Sequence, residues 1–424
     1  MEVRNLDISI DLNRTFFIIA NALDCIGVDD ENHGHRVGFI AYHLAKKLQW
    51  DEFECQFAFY MGLIHDCGVK EKRNLHRLLE SMAPNDVEQH CVRAYKLLTQ
   101  CSPLSSFASP IRYHHTPWNE LEKLSLPDAE KRLAALIFLC DRIDYLRTVF
   151  EHDEFGNLEK LSRQKIINEI SKYRGSLFKP EFVDEVEPIL RADYVWFSLS
   201  SEHIELFSRQ LPDCGINSSS FSLNDVVSIA QFLASIVDAK SEFTYLHSVK
   251  VAELAVFLSD KLGASLELQK ALYLAGLTHD LGKLHTPDAI LHKRGSLTSS
   301  EYLCIQRHVV DSFYFMNGIF EHSIISQWAG NHHERLDGSG YPRGLTASEL
   351  DTPSRIMAIA DMFQALTQQR PYREQMDLKS ALTTLRMEVE KGKLDPTVFK
   401  ILEENAEEAY SISTSECDMC PVSQ

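Results

Sequence analysis

MGLIHDCG at residues 61–68 and AGLTHDLG at residues 275–282 are near copies of one another, and this repeat decides the fold. Working outward, His33 stands 32 residues before His65, and His247 stands 32 residues before His279. Downstream, His90 and His308 are each followed 24 residues later by a histidine pair, His114-His115 and His332-His333. Asp141 and Asp361 close the two series. The surrounding words agree as well: HGHRV (33–37) answers HSVKV (247–251), and FKPEF (178–182) answers LDPTVF (394–399). The same chemistry in the same order at matched spacing marks a duplicated unit.

Each copy reads as helical. Apolar residues recur at intervals of three and four in HRVGFIAYHLAKKL (35–48), DVVSIAQFLASIV (225–237) and ALTTLRMEVEKG (381–392). Long alternating runs are absent, and the best strand candidate, ADYVWFSLS (192–200), is short and isolated. The expected class is all-α, two tandem helical bundles. PDCGINSSSFS (212–222) is polar, turn-rich and without periodicity, as a linker would be. The expected organisation is therefore an N-terminal domain over 1–211, a linker over 212–222, a second domain over 223–410 and a polar tail over 411–424.

Composition narrows the function. At 424 residues and 44% hydrophobic content the chain can bury two ordinary cores. No apolar run approaches the ~20 residues that cross a bilayer, and MEVRNLDISIDLNRTF does not read as a signal peptide. A cytoplasmic location without membrane association is expected. Ten scattered cysteines fit reduced, buried thiols; only Cys417 and Cys420 form a CxxC, which lacks the second pair of a structural zinc site. A net charge of −18 argues against binding a nucleic-acid polymer. A small anionic ligand is compatible with that charge if a metal cluster supplies local positive field.

In the second half the order is His247, His279-Asp280, His308, His332-His333, Asp361. Imidazole and carboxylate donors suit iron, manganese, zinc and similar divalent ions, and the lack of nearby thiolate pairs points to an open hydrolytic site. HSVKV (247–251), HDLGK (279–283), His308, HHERLDGSGYP (332–342), RIMAIAD (355–361) and RPYR (370–373) together resemble the HD-GYP family over about residues 225–405. The resemblance implies two HD-type bundles and a metal-dependent phosphodiesterase acting on a bacterial cyclic dinucleotide, cyclic di-GMP or 3'3'-cyclic GMP-AMP. It also implies two divalent ions, iron or manganese. Asp280 would bridge them, His247, His279 and Asp361 would complete one, and His308, His332 and His333 the other. A hydroxide between the ions would attack the phosphodiester to give a linear dinucleotide, cut further to mononucleotides in some family reactions.

Substrate contacts follow from the same resemblance. Lys283 lies one turn beyond His279 if the helix continues through Gly282, and it matches the family's phosphate-facing lysine. Arg370 and Arg373 match phosphate-gripping positions, and Tyr341 sits in the loop that shapes the pocket. DGSGYPRGL (337–345) also has a plain reading as a turn-rich connection. Some family members carry a glutamate four residues before the first histidine that recruits a third metal. Here that residue is Phe243, and neighbouring Glu242 would point about 100° away on a helix. Two ions are expected, not three.

The first half keeps the ligand types His33, His65, Asp66, His90, His114, His115 and Asp141, with Asp29 four residues before His33. It has Val69 where the second half has Lys283, no GYP in TPWNELEKLSLPDAEKR (116–132), and Phe150 and Asp153 at the offsets of Arg370 and Arg373. Three roles are open to it: a duplicate kept for packing or homodimer formation, a metal-loaded domain regulating its neighbour within the chain, or a separate hydrolase for a smaller nucleotide. For the whole protein, a receptor that binds without turnover and a general nucleotide phosphohydrolase are the alternatives.

Overall fold

The computed structural model describes residues 10–27, 32–69, 82–83, 88–214, 221–240, 244–320, 324–369 and 375–415. Asp29, Glu242, Phe243, Arg370, Arg373, Cys417 and Cys420 lie outside them, so the expectations placed on these residues have no structural counterpart here. The described residues contain no β-strand, only three isolated bridges, and the chain divides into two compact helical units with the boundary between Asp225 and Val226.

Each unit is organised around one tight helix pair. In the first, His33–Lys47 packs against Glu52–Ile64. The crossing needs two glycines: a Cβ on Gly62 would lie 2.4 Å from Gly38 Cα, so any side chain there would push the helices apart. Asp51 fixes the start of the second helix by a capping box, accepting from Glu54 N at 2.8 Å while Glu54 receives the Asp51 N–H. The second unit repeats the pair as Thr244–Lys261 against Leu266–Thr278, with Ser265 as N-cap. There a Cβ on Gly276 would lie 2.4 Å from Ala252 Cα. A further helix runs alongside each pair, Asp128–Val149 in the first unit and Thr352–Thr367 in the second.

These helices are buried on most faces, and the core fills accordingly. Phe39, Phe59, Phe138, Phe178 and Phe182 are enclosed in the first unit, Trp328, Phe320 and Phe363 in the second. Such burial removes most apolar area from water and drives the bundles together.

ADYVWFSLS (192–200) forms no strand, in keeping with the all-α expectation: Asp193–Phe197 is a single helical turn, with Trp196 Nε1 donating to Leu190 O at 2.7 Å. Val195 and Trp196 face the core while Tyr194 and Phe197 are exposed. One domain boundary needs correction. The boundary drawn at 411 falls inside the helix Ala406–Thr414, whose Ser413 is buried and paired with Thr367 at 2.5 Å. Within the stretch read as linker, Pro212 O accepts from Gln56 Nε2 at 2.7 Å, and helix begins at Leu223.

Candidate metal centre

In the second unit the fold gathers the whole expected ligand set. His247 comes from the first helix of the pair; His279 caps the second helix and Asp280 follows it; His308 opens the helix His308–Ile319. His332 and His333 follow the helix Ile324–Gly330, and Asp361 comes from Thr352–Thr367. The pair-forming glycine has a partner in this job. A Cβ on Gly282 would lie 2.0 Å from His308 O, so only glycine lets the chain leaving Asp280 pass against the turn that carries His308.

Asp280 sits at the middle. Its Oδ2 is 3.6 Å from His247 Nε2 and 3.5 Å from His279 Nε2, and its Oδ1 is 3.4 Å from His308 Nε2. Asp361 presents Oδ1 to His247 Nε2 at 3.2 Å and Oδ2 to His333 Nδ1 at 3.7 Å. His308 Nε2 and His332 Nε2 are 3.3 Å apart, as are His247 Nε2 and His279 Nε2. Two ligand groups result, His247 with His279 and Asp280, and His308 with His332 and His333.

The other ring nitrogens are already committed. Nδ1 of His279, His308 and His332 donates to the carbonyls of Gly276, Ile305 and Ala329 at 2.7, 2.5 and 2.6 Å. His247 Nδ1 donates to Gln364 Oε1 at 2.5 Å. Each bond fixes ring orientation and leaves the Nε2 lone pair facing the centre, the arrangement that metal-binding histidines use. Burial lowers His308 to about 4 and His333 to about 3, so both are neutral at pH 7. Burial opposes ionisation of Asp280, yet the Lys283 ammonium holds its carboxyl well below the usual range. Neutral imidazoles and ionised carboxylates are the states that ligate metal.

The cluster is closed except on one side. His333 has 22% of its side chain exposed, whereas Asp280 has 2%. Over that opening lies the loop that carries Tyr341, whose ring centroid is 4.8 Å from that of His333 and which Tyr302 meets edge-on at 6.4 Å. Glu334 holds the loop: its buried carboxylate accepts Arg343 N at 2.7 Å and Leu345 N at 3.0 Å. Gly340 folds back on Glu334, where a Cβ would lie 2.5 Å from Glu334 Cα.

Lys283 departs from its expected setting. The α-helix stops at Thr278, and Lys283 lies in a 3-10 turn, Leu281–His285, because Gly282 must turn against the His308 helix. Its Nζ contacts Asp280 Oδ2 at 2.5 Å while 22% of the side chain stays exposed. Glu334, Gln364 and Tyr302 escaped the sequence reading. Only Gln364 carried a signal: it sits three residues beyond Asp361, on the same helical face.

The ligand-type residues of the first unit also converge, around Asp66. Val69 stands where Lys283 stands, and the Asp66 side chain is correspondingly 15% exposed. Phe150 merely ends its helix, and Asp153 accepts from Phe155 N and Asn157 N within an exposed loop.

The HD domain family model matches residues 231–398. The 3'3'-cGAMP-specific phosphodiesterase 1 of Vibrio cholerae is 51% identical over 98% of this chain and 96% of its own length. A cyclic di-GMP phosphodiesterase of Pseudomonas aeruginosa is 36% identical over 40% of this chain and 41% of its own. A crystal structure of a cyclic GMP-AMP-specific phosphodiesterase of V. cholerae superimposes with a TM-score of 0.62 at 22% identity, covering 93% of this chain and 97% of that one.

Proposed function

We propose, for a chain that belongs to the HD-GYP family of cyclic-dinucleotide phosphodiesterases, that its second unit hydrolyses 3'3'-cyclic GMP-AMP to the linear dinucleotide. The observation that carries the reading is Asp280, which lies between two groups of imidazole nitrogens with one carboxylate oxygen toward each. Preference for the mixed-base substrate is supported by likeness along nearly the whole chain to a relative of that name, whereas the cyclic di-GMP enzyme from P. aeruginosa is matched over 40% of the chain.

The residues present fit a pair of divalent ions. Asp280 Oδ1 is buried without a hydrogen-bond partner, and it faces nitrogen lone pairs where a cation would satisfy both. His247, His279 and Asp361 would hold one ion, His308, His332 and His333 the other, and Asp280 both; imidazole and carboxylate donors suit iron or manganese. Bound there, paired ions supply an acidified water and neutralise charge on the phosphodiester.

The chain's own groups do the rest. Lys283 is tethered at the cluster yet partly exposed, so its ammonium can turn from Asp280 to a phosphate oxygen and stabilise charge developing there. Tyr341, packed over His333, offers its face to a base, and Glu334 keeps that loop in position. Arg370 and Arg373 add phosphate contacts on the strength of the motif alone. A cytoplasmic setting suits the proposed substrate, and no helix among the described residues is long and apolar enough to cross a membrane.

The test is turnover of 3'3'-cyclic GMP-AMP, cyclic di-GMP and a mononucleotide side by side in iron- or manganese-loaded protein. The mixed dinucleotide should be cut fastest, and Asp280→Ala should abolish cleavage. Tight binding with no product would establish a receptor instead, and preferential mononucleotide cleavage a general phosphohydrolase.

A further inference from the structure

The first unit contains a polar interior that its own hydrogen bonds do not explain. His65 Nε2, Asp66 Oδ1, His114 Nε2 and both ring nitrogens of His115 are buried without hydrogen-bond partners. Buried polar atoms are almost always paired, and here all of them point into one cluster. Asp66 Oδ1 is 3.7 Å from His90 Nε2 and 3.7 Å from His114 Nε2, while Asp66 Oδ2 is 3.5 Å from His65 Nε2. On the far side, His33 Nε2 is 3.4 Å from Asp141 Oδ1, and His115 Nδ1 is 3.6 Å from Asp141 Oδ2.

The atoms that orient His33, His65 and His114 occupy the positions of those in the other unit, whereas His90 Nε2 lies 3.5 Å from Cys91 Sγ. His65 Nδ1 donates to Gly62 O at 2.8 Å and His114 Nδ1 to Ile111 O at 2.6 Å, leaving both Nε2 lone pairs toward Asp66. His33 Nδ1 goes to Asp144 Oδ2 at 2.8 Å, where the second unit has Gln364. Asp144 is itself held by Arg36 Nε and Arg147 Nε at 2.7 and 2.8 Å. Gly68 is kept for the same reason as Gly282, since a Cβ there would lie 1.9 Å from His90 O. A duplicate retained only for packing has no use for ligand-orienting bonds, or for a glycine that seats one ligand helix.

We infer that the first unit holds its own pair of divalent metal ions, one on His33, His65 and Asp141, the other on His90, His114 and His115, with Asp66 shared. This centre differs from its neighbour in two respects that bear on chemistry. Among the described residues, Val69 stands where Lys283 does and no ammonium lies beside the shared carboxylate. Arg142 occupies Asp141 Oδ2 at 2.7 Å, which leaves Oδ1 for an ion. Among the described residues, the first centre therefore has ligands for metal but no counterpart of Lys283 to face a phosphate. The inference stands whether or not the second unit has the substrate proposed above.

The experiment counts metal in the full chain. Protein produced with excess manganese or iron and freed of loose metal should carry about four ions, and His279→Gln with Asp280→Asn should leave about two. Because that variant does not touch the first unit, its remaining ions report the inferred centre directly. His65→Gln with Asp66→Asn should also drop the count to about two while cleavage of 3'3'-cyclic GMP-AMP continues. If the second variant does not fold, manganese titration of the first one, followed by the loss of the free-ion electron paramagnetic resonance signal, still decides the matter. Two tightly held ions uphold the inference; no bound ion in that chain overturns it.

Discussion

Replacing Gly282 by alanine adds a single methyl group and should disable the second centre. The new Cβ would lie 2.0 Å from His308 O, 2.7 Å from Ser312 N and 2.8 Å from His308 C. All three are backbone atoms of one turn, so no rotamer change relieves the clash. Ordinary contact begins near 3.4 Å, which leaves a shortfall of about 1.4 Å to be met by moving the turn that begins with His308. His308 Nε2 is 3.4 Å from Asp280 Oδ1, so a retreat of that size takes the imidazole out of ligating range of an ion on Asp280. A 1 Å misplacement in an active site costs on the order of 10²-fold in rate, and overpacking costs about 1 to 3 kcal/mol in stability. The assay is initial rate on 3'3'-cyclic GMP-AMP with bound metal measured on the same sample, and a circular-dichroism melt to show that the chain is folded. Gly68→Ala makes the same clash against His90 O at 1.9 Å and serves as the control, because it should spare turnover and deplete only the first centre. A Gly282→Ala enzyme with normal rate and normal metal content would refute the role given to this close approach.

Three further outcomes are expected. Gln364→Ala removes the acceptor for His247 Nδ1 and should weaken metal retention in the second unit by about 10- to 100-fold, read by chelator competition. Glu334→Ala leaves the Arg343 and Leu345 amides without their carboxylate and should raise KM at least ~10-fold with metal content unchanged, since each charge-assisted bond is worth about 1.5 to 3 kcal/mol. His43 is packed among Phe39, Tyr42, Tyr194 and Phe207, and burial lowers it to about 4 from 6.5. The unfolded chain therefore takes up this proton first as pH falls below 6.5, and the folded state loses stability until about 4. His43→Leu should shrink the drop in unfolding free energy between pH 7.5 and 5 by roughly 2 kcal/mol, measured by denaturant titration.

The convergence of seven ligand-type residues in each unit was legible because metal chemistry demands particular residue types in order, and the duplication supplied an internal check on spacing. The helices that carry them were legible from their three-to-four periodicity, as with 35–48 inside His33–Lys47. What could not be read was anything set by close backbone approach. Lys283 looked like the next turn of a helix, whereas the chain breaks after Thr278 because Gly282 must pass against His308 O. Gln364, despite its spacing from Asp361, and Glu334 went unassigned for another reason. An amide three residues past Asp361, or a carboxylate next to His333, has many uses, and only coordinates show that one bonds His247 and the other gathers two loop amides.

The contrast between the units is finally one of where compensating charge resides. In the first, Asp144 is clamped by Arg36 and Arg147, and Asp141 by Arg142, all three guanidinium groups coming from the helices that carry His33 and the two aspartates. Such pairs are largely buried and spatially fixed, and breaking one would strand a charge at a cost of several kcal/mol. The second unit replaces Asp144 with neutral Gln364, and Met362 stands where Arg142 does, so Asp361 has no guanidinium beside it in sequence. The cation there is Lys283, on a flexible stem, partly exposed and paired with the shared carboxylate. A fixed arginine can only stabilise what is already present, whereas a tethered lysine can exchange Asp280 for an incoming phosphate once metal neutralises that carboxylate. The first arrangement suits a centre that only holds metal, and the second suits turnover of an anionic substrate.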